Sequence, residues 1–129
     1  MSDKIPMPQG IARSLAELSA PLTGRRRSTQ DLKRQAEKAR TQRDWALDVL
    51  YRRQICAMEP AKPGVWIQYG HALKEAGFHA RAAEAYAKAR ELDGDSAEAA
   101  LQLGHLAKIR GDFDTAAREF ETAAALGHP

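Results

Sequence analysis

His71 and His105 are the residues with the clearest chemical potential, since imidazole can hold a metal or move a proton near neutral pH. They stand 34 residues apart in one wording, Gln68-x-Gly70-His71-x-x-Lys74 and Gln102-x-Gly104-His105-x-x-Lys108. A structural zinc site closes four ligands around the ion, and no cysteine or carboxylate pattern completes such a set here. His79 and His128 follow no regular spacing. The histidines therefore read as polar surface residues, with no metal or other cofactor expected. Cys56 is the single cysteine, so no internal disulfide can form. It lies between Ile55 and Met58 with no histidine and asparagine arrangement to activate it, which makes it a small buried hydrophobe. Trp45 and Trp66 read as core or helix-interface residues. Phosphate-binding glycine loops, nucleophile elbows and zinc-protease motifs do not occur. These residues point to a protein that is not an enzyme.

The elements that position the histidines are announced by the same 34-residue period. Trp66-x-x-Tyr69-Gly70-His71-x-Leu73-Lys74 recurs as Ala100-x-x-Leu103-Gly104-His105-x-Ala107-Lys108, and the match runs on through Gly77/Gly111, Ala82/Ala116, Tyr86/Phe120, Ala89/Ala123 and Leu92/Leu126. Periods of this size mark stacked supersecondary units. The chain is rich in Ala, Leu, Glu, Lys, Arg and Gln, which favour helix. Aromatics are 6% of the residues, so helices must approach closely over small side chains. Gly77 and Gly111 should end first helices in the left-handed conformation. Asp112 should cap the last helix, Asp112 to Ala125, and Asp95 with Glu98 forms a capping-box-like start to the one before. Gly70 and Gly104 sit mid-helix at a cost near 1 kcal/mol each relative to alanine. Close approach of a neighbouring backbone explains them, with Ala82 and Ala116 the natural opposing residues.

Applied backwards from Pro63, the period lands on Thr29 and predicts a degenerate first unit over residues 29–62. Ser28 or Thr29 caps its first helix, Thr29 to Gln42, where Leu32, Ala36 and Ala39 make a thin apolar stripe. The second helix, Asp44 to Met58, offers Trp45, Val49, Leu50, Ile55 and Met58. Two alignments of that helix fit: an unbroken period, which puts Asp48 where Ala82 and Ala116 stand, or a one-residue shift that sets Tyr51 opposite Tyr86. Ahead of it, residues 1–28 form an arm. Met1 to Gly10 reads as disordered, and Ile11, Leu15, Leu18 and Leu22 share one face of a short amphipathic helix. Arg25 to Arg27 are either an anion or nucleic-acid contact or a solvated linker; a triplet without interleaved aromatics favours the linker.

The pattern of Trp66, Tyr69, Gly70 and Leu73 followed by Ala82 and Tyr86 resembles the tetratricopeptide repeat, as does its copy in residues 97–129. The resemblance implies an all-α solenoid of helix-turn-helix units, about three in number (29–62, 63–96 and 97–129), plus the short amino-terminal helix. It also implies function: first helices line a concave groove that receives a segment of another protein. On this mapping the groove holds Lys33, Glu37 and Arg40 of the first unit, Gln68, His71, Lys74 and Glu75 of the second, and Gln102, His105 and Lys108 of the third. The surface is polar and mildly basic, suited to acidic or amide groups. The clamp that holds chaperone carboxyl termini is matched poorly, because Ile67, Leu101 and the histidines occupy its basic and asparagine positions. The wording from Trp66 to Glu75 is also similar to repeat arrays that accompany bacterial surface-polysaccharide glycosyltransferases, so a regulatory or localising module of such an enzyme is the alternative function.

Charge and length set the remaining bounds. The 129 residues carry a net charge of +3 that arises within residues 1–28, and the neutral remainder argues against a general nucleic-acid surface. No apolar run approaches a membrane span, Met1 to Gly10 lacks the core of a secretory signal, and a cytoplasmic location is the default. A solenoid end needs a polar cap. The last helix is followed only by residues 126–129, so Phe120, Ala123, Ala124 and Leu126 should be partly bare. Either a second copy, giving a symmetric dimer, or the segment bearing Ile11, Leu15 and Leu18 would cover them.

Overall fold

The computed structural model describes residues 27–127, and Ile11, Leu15, Leu18, Arg25, Arg26 and His128 lie outside them. Six helices follow one another without a strand among the described residues: α1 (Thr29–Thr41), α2 (Trp45–Met58), α3 (Pro63–Glu75), α4 (His79–Leu92), α5 (Ala97–Arg110) and α6 (Phe113–Ala125). First helices begin at residues 29, 63 and 97 and second helices at 45, 79 and 113, so the 34-residue period is unbroken. The unshifted alignment of the first unit is the right one, and the residue opposite Tyr86 is Arg52.

The local signals for these boundaries are clear. Ser28 Oγ accepts from the Asp31 amide at 3.0 Å, which satisfies one of the free donors at the start of α1. Asp112 does the same for the Thr115 amide at the start of α6. Pro63 begins α3, where its missing N–H costs nothing. The turn inside each hairpin is the same object three times: the Asp44, Phe78 and Asp112 amides donate to the Ala39, Leu73 and Ala107 carbonyls at 2.8, 2.8 and 2.9 Å. Each turn passes through a left-handed residue, Gly77 at φ 91° and Gly111 at φ 85°. In the first hairpin Arg43 does this at φ 59°, a conformation that costs a residue with a Cβ roughly 1–2 kcal/mol. At the start of α5 the cap is Ser96, whose hydroxyl accepts from Ala99, and not Asp95. The Asp95 amide instead bonds back to the Asp93 carboxylate, which leaves Asp95 in the turn.

Each pair packs as a hairpin, and the second helix of one hairpin packs on the first helix of the next, α2 on α3 and α4 on α5. Helices therefore stack in chain order. Alanine makes the close approaches, with Ala36, Ala82, Ala89, Ala99, Ala100 and Ala107 fully buried. Larger side chains, chiefly Leu32, Ile55, Leu73 and Tyr86, fill what remains. Gly70 and Gly104 are required by rings rather than by backbone: a Cβ at either would come within 2.6 Å of Tyr86 or Phe120. Ala82 and Ala116 are buried nearby but are not the closest opponents.

Candidate functional site

The first helices stand side by side and share a polar cleft of about 240 Å³. Arg40 of α1, Gln68, His71, Lys74 and Glu75 of α3, and Glu98 and Gln102 of α5 line it, with Trp45 and Asp48 of α2 at its back. A second cleft of about 510 Å³ continues it between α1 and α3, where Lys33, Glu37, Arg40 and Gln68 meet Arg52, Ile55 and Val65. Eight of the ten residues assigned to the groove from the sequence are thus brought together. His105 and Lys108 are exposed on α5 beyond this lining. A third cleft, of about 590 Å³, lies on another face between α3 and the start of α4 and is lined by Trp66, Tyr69, Phe78 and Arg81 among others.

The groove side chains are tied to one another, so the surface is less basic than their types imply. Lys74 Nζ donates to Gln102 Oε1 at 2.8 Å, and the Gln102 amide donates to Glu98 Oε2 at 2.9 Å. His71 Nε2 lies 3.6 Å from the same carboxylate. Its Nδ1 is 2.6 Å from the Tyr86 hydroxyl, with the two rings edge to face. Burial holds His71 below the ordinary histidine value, against the pull of Glu98, with Lys74, Arg40 and Arg52 acting in the same direction as burial. A neutral imidazole facing a carboxylate through Nε2 is best satisfied when the Tyr86 hydroxyl donates to Nδ1 and Nε2 carries the proton. Burial, reinforced by Glu98 and Glu75, raises the Tyr86 phenol in turn, which keeps it a donor. Lys33 Nζ is 3.4 Å from Glu59 on the turn after α2.

Arg52, Asp48 and Glu98 are the groove residues that sequence reasoning missed. Arg52 is buried where Tyr86 and Phe120 stand in the later hairpins. Its Nε donates to Asp48 Oδ1 at 3.0 Å and its Nη2 to Glu37 Oε2 at 2.8 Å. Glu37 occupies the place of His71 and His105, so in the first hairpin an ion pair replaces the histidine and aromatic ring. Burial pushes the Asp48 carboxyl above its usual value, although Arg52 and Arg40 pull it down. The available signals were Asp48 and Arg52 four apart on an apolar helix face, and Glu98 four before Gln102.

Other expected residues are placed as follows. Cys56 is buried, its thiol raised by burial to about 12 and its sulfur 3.5 Å from the Val65 carbonyl. Trp45 and Trp66 are half-buried, and the Trp66 indole donates to the Pro60 carbonyl at 2.9 Å. The Arg27 guanidinium lies over the Tyr51 ring at 6.0 Å, so this arginine has an internal partner. At the carboxyl-terminal end, Ala123 is buried and not bare, because Ala116, Phe120 and Ala123 form the stripe that α6 turns toward α5. Phe120 and Leu126 are half-buried, the Phe120 ring packs edge to face on His105, and Ala124 is exposed. The bare large hydrophobics there are Ile109 and Phe113, at 61% and 66% exposure. No group of three metal-ligating side chains occurs among the described residues, and no helix among them is long and apolar enough to cross a membrane.

The tetratricopeptide repeat model matches residues 63–106, the second hairpin and the helix stacked on it. Over these residues the chain belongs to the tetratricopeptide repeat family. Among solved structures, the chain is similar to MamA from Desulfovibrio magneticus RS-1, with a TM-score of 0.72 and 19% identity over 88% of this chain and 61% of that one. The tetratricopeptide domain of Arabidopsis OM64 gives 0.71 and 19% identity over 77% and 82% of the two chains. SycD, a type III secretion translocator chaperone of Yersinia enterocolitica, gives 0.72 and 12% over 76% and 74%. The chain spans about three fifths of the MamA chains it matches. No curated protein matches its sequence.

Proposed function

We propose that this tetratricopeptide-repeat chain is a non-catalytic module that binds a segment of another protein along its first helices. The observation that carries the reading is the polar cleft shared by α1, α3 and α5, where side chains from three repeats meet. A cleft of that kind offers a guest hydrogen-bond donors and acceptors in fixed places, which favours an extended backbone with polar side chains over a small apolar ligand. SycD, similar in fold, is a translocator chaperone, which agrees with such a role.

Affinity capture with the full chain tests the proposal. The wild type should retain a specific protein that Arg40→Ala/Gln68→Ala/Glu75→Ala loses at unchanged melting temperature. Retention of the same proteins by both would reject the groove. Self-association is proposed as well, through the exposed Phe113 and Ile109. Phe113→Glu should then lower a concentration-dependent sedimentation coefficient, and a concentration-independent monomer in the wild type would dismiss it.

A further inference from the structure

The second hairpin fills the space behind its groove helix with a tyrosine, and the third uses a phenylalanine. The first places a guanidinium there. Arg52 is anchored from below by Asp48, itself 2% exposed, so its position is fixed before any guest arrives. A buried cation needs a partner at each face, since leaving one uncompensated is costly. At its outer face that partner is Glu37, whose side chain is 62% exposed and joined by one bond of 2.8 Å. Arg52 Nη1 makes no hydrogen bond among the described residues. Arg40 lines the same cleft and forms no ion pair among them. Lys33, the third cation of this cleft, is matched by Glu59.

From this arrangement we propose that the cleft between α1 and α3 is a subsite for an aspartate or glutamate side chain of the bound segment, held between Arg52 and Arg40 in the place that Glu37 fills in the free protein. The proposal rests on the groove reading above and gives it a ligand chemistry. Guanidinium presents a planar fork to carboxylate, and a fork already oriented by Asp48 loses little freedom on binding. The ligand carboxylate gains Arg40 as a second cation, which Glu37 has not engaged, so exchange is favourable. Glu37 swings into solvent at small cost because it is mostly solvated already. Val65 and Ile55 wall the cleft beside Arg52 and leave room for the aliphatic stem of the incoming side chain.

Selection of linear peptides from a displayed random library on the full chain, followed by titration of synthetic winners with amidated carboxyl ends, tests this directly. Winners should carry an acidic residue whose replacement by the corresponding amide weakens binding about tenfold or more. Glu37→Gln, which removes the internal competitor, should tighten the same peptides by about threefold to tenfold. Arg40→Gln should weaken them. Peptides that bind in a manner sensitive to Gln68→Ala yet show no acidic requirement, or no gain with Glu37→Gln, would overturn the subsite and leave the groove standing. A library that returns no binder would overturn both. Because Glu37 is exposed, its variant folds, and the outcome does not depend on whether Arg52 can be replaced.

Discussion

In the first hairpin Arg52 lies buried between Asp48 and Glu37; in the second, at the same place in the repeat, Tyr86 lies against Gly70 and bonds to His71. One backbone arrangement thus accepts an ionic filling or an aromatic one, and the residues around each have followed suit. Ala36 replaces the glycine because a guanidinium chain is thinner at that point than a ring. Asp48 replaces an alanine because the cation must be neutralised. The first repeat looks degenerate by its pattern and is regular by its backbone.

The largest effect expected from this comparison is at Asp48. Asp48→Asn should leave the Arg52 guanidinium buried with only the solvent-exposed Glu37 to balance it and lower stability in urea denaturation by about 3–5 kcal/mol. Transplanting the second hairpin's residues as Ala36→Gly/Glu37→His/Asp48→Ala/Arg52→Tyr should be near neutral, since well-packed groups of similar volume commonly match a buried ion pair. If the single change costs under about 1 kcal/mol, Arg52 has another source of compensation and the two fillings are not alternatives.

That the chain has three hairpins could be read in advance because its boundaries depend on local chemistry: Ser28, Pro63, Gly77, Gly111 and Asp112 act within a turn of their own position. The filling of the first hairpin could not. Asp48 and Arg52 interrupt an apolar face, and only Glu37, 15 residues upstream of Arg52 and across the hairpin, shows that they form one network. The partners of Gly70 and Gly104 were hidden for the same reason, since an aromatic four residues beyond Ala82 or Ala116 can reach across where alanine cannot. Ser96 and Asp95 were equally able to cap α5, and the turn from Asp93 decided between them.

The second effect concerns the rings. Alanine at Gly70 meets Tyr86, which is fully buried and bonded to His71, whereas alanine at Gly104 meets Phe120, which is half-exposed and carries no hydroxyl to anchor its ring. Gly70→Ala should cost about 1–3 kcal/mol of overpacking, partly offset by alanine's better helix propensity. Gly104→Ala should cost less or gain a little. Equal melting temperatures for the two variants would mean that the rings move alike and that the Tyr86 hydroxyl does not anchor its ring. At the turns, Arg43 is left-handed where the other hairpins have Gly77 and Gly111. Arg43→Gly should therefore raise stability by about 0.5–1 kcal/mol, the strain relieved less the extra entropy of an unfolded glycine. A loss of stability would show that the Arg43 side chain makes a contact worth more than its strain.

The smallest effect is at the other end of Arg52. Glu37 and Asp48 touch the same guanidinium at similar distances, 2.8 and 3.0 Å, yet one is largely in water and the other is buried. Solvent screens the outer pair and can replace it, so Glu37→Gln should change stability by at most about 0.5–1 kcal/mol. The contrast with Asp48→Asn then divides one side chain into an anchored half and an exchangeable half, which a subsite for an incoming carboxylate requires. A loss at Glu37 approaching that at Asp48 would make the triad a closed structural unit, with no bond to spare for a guest.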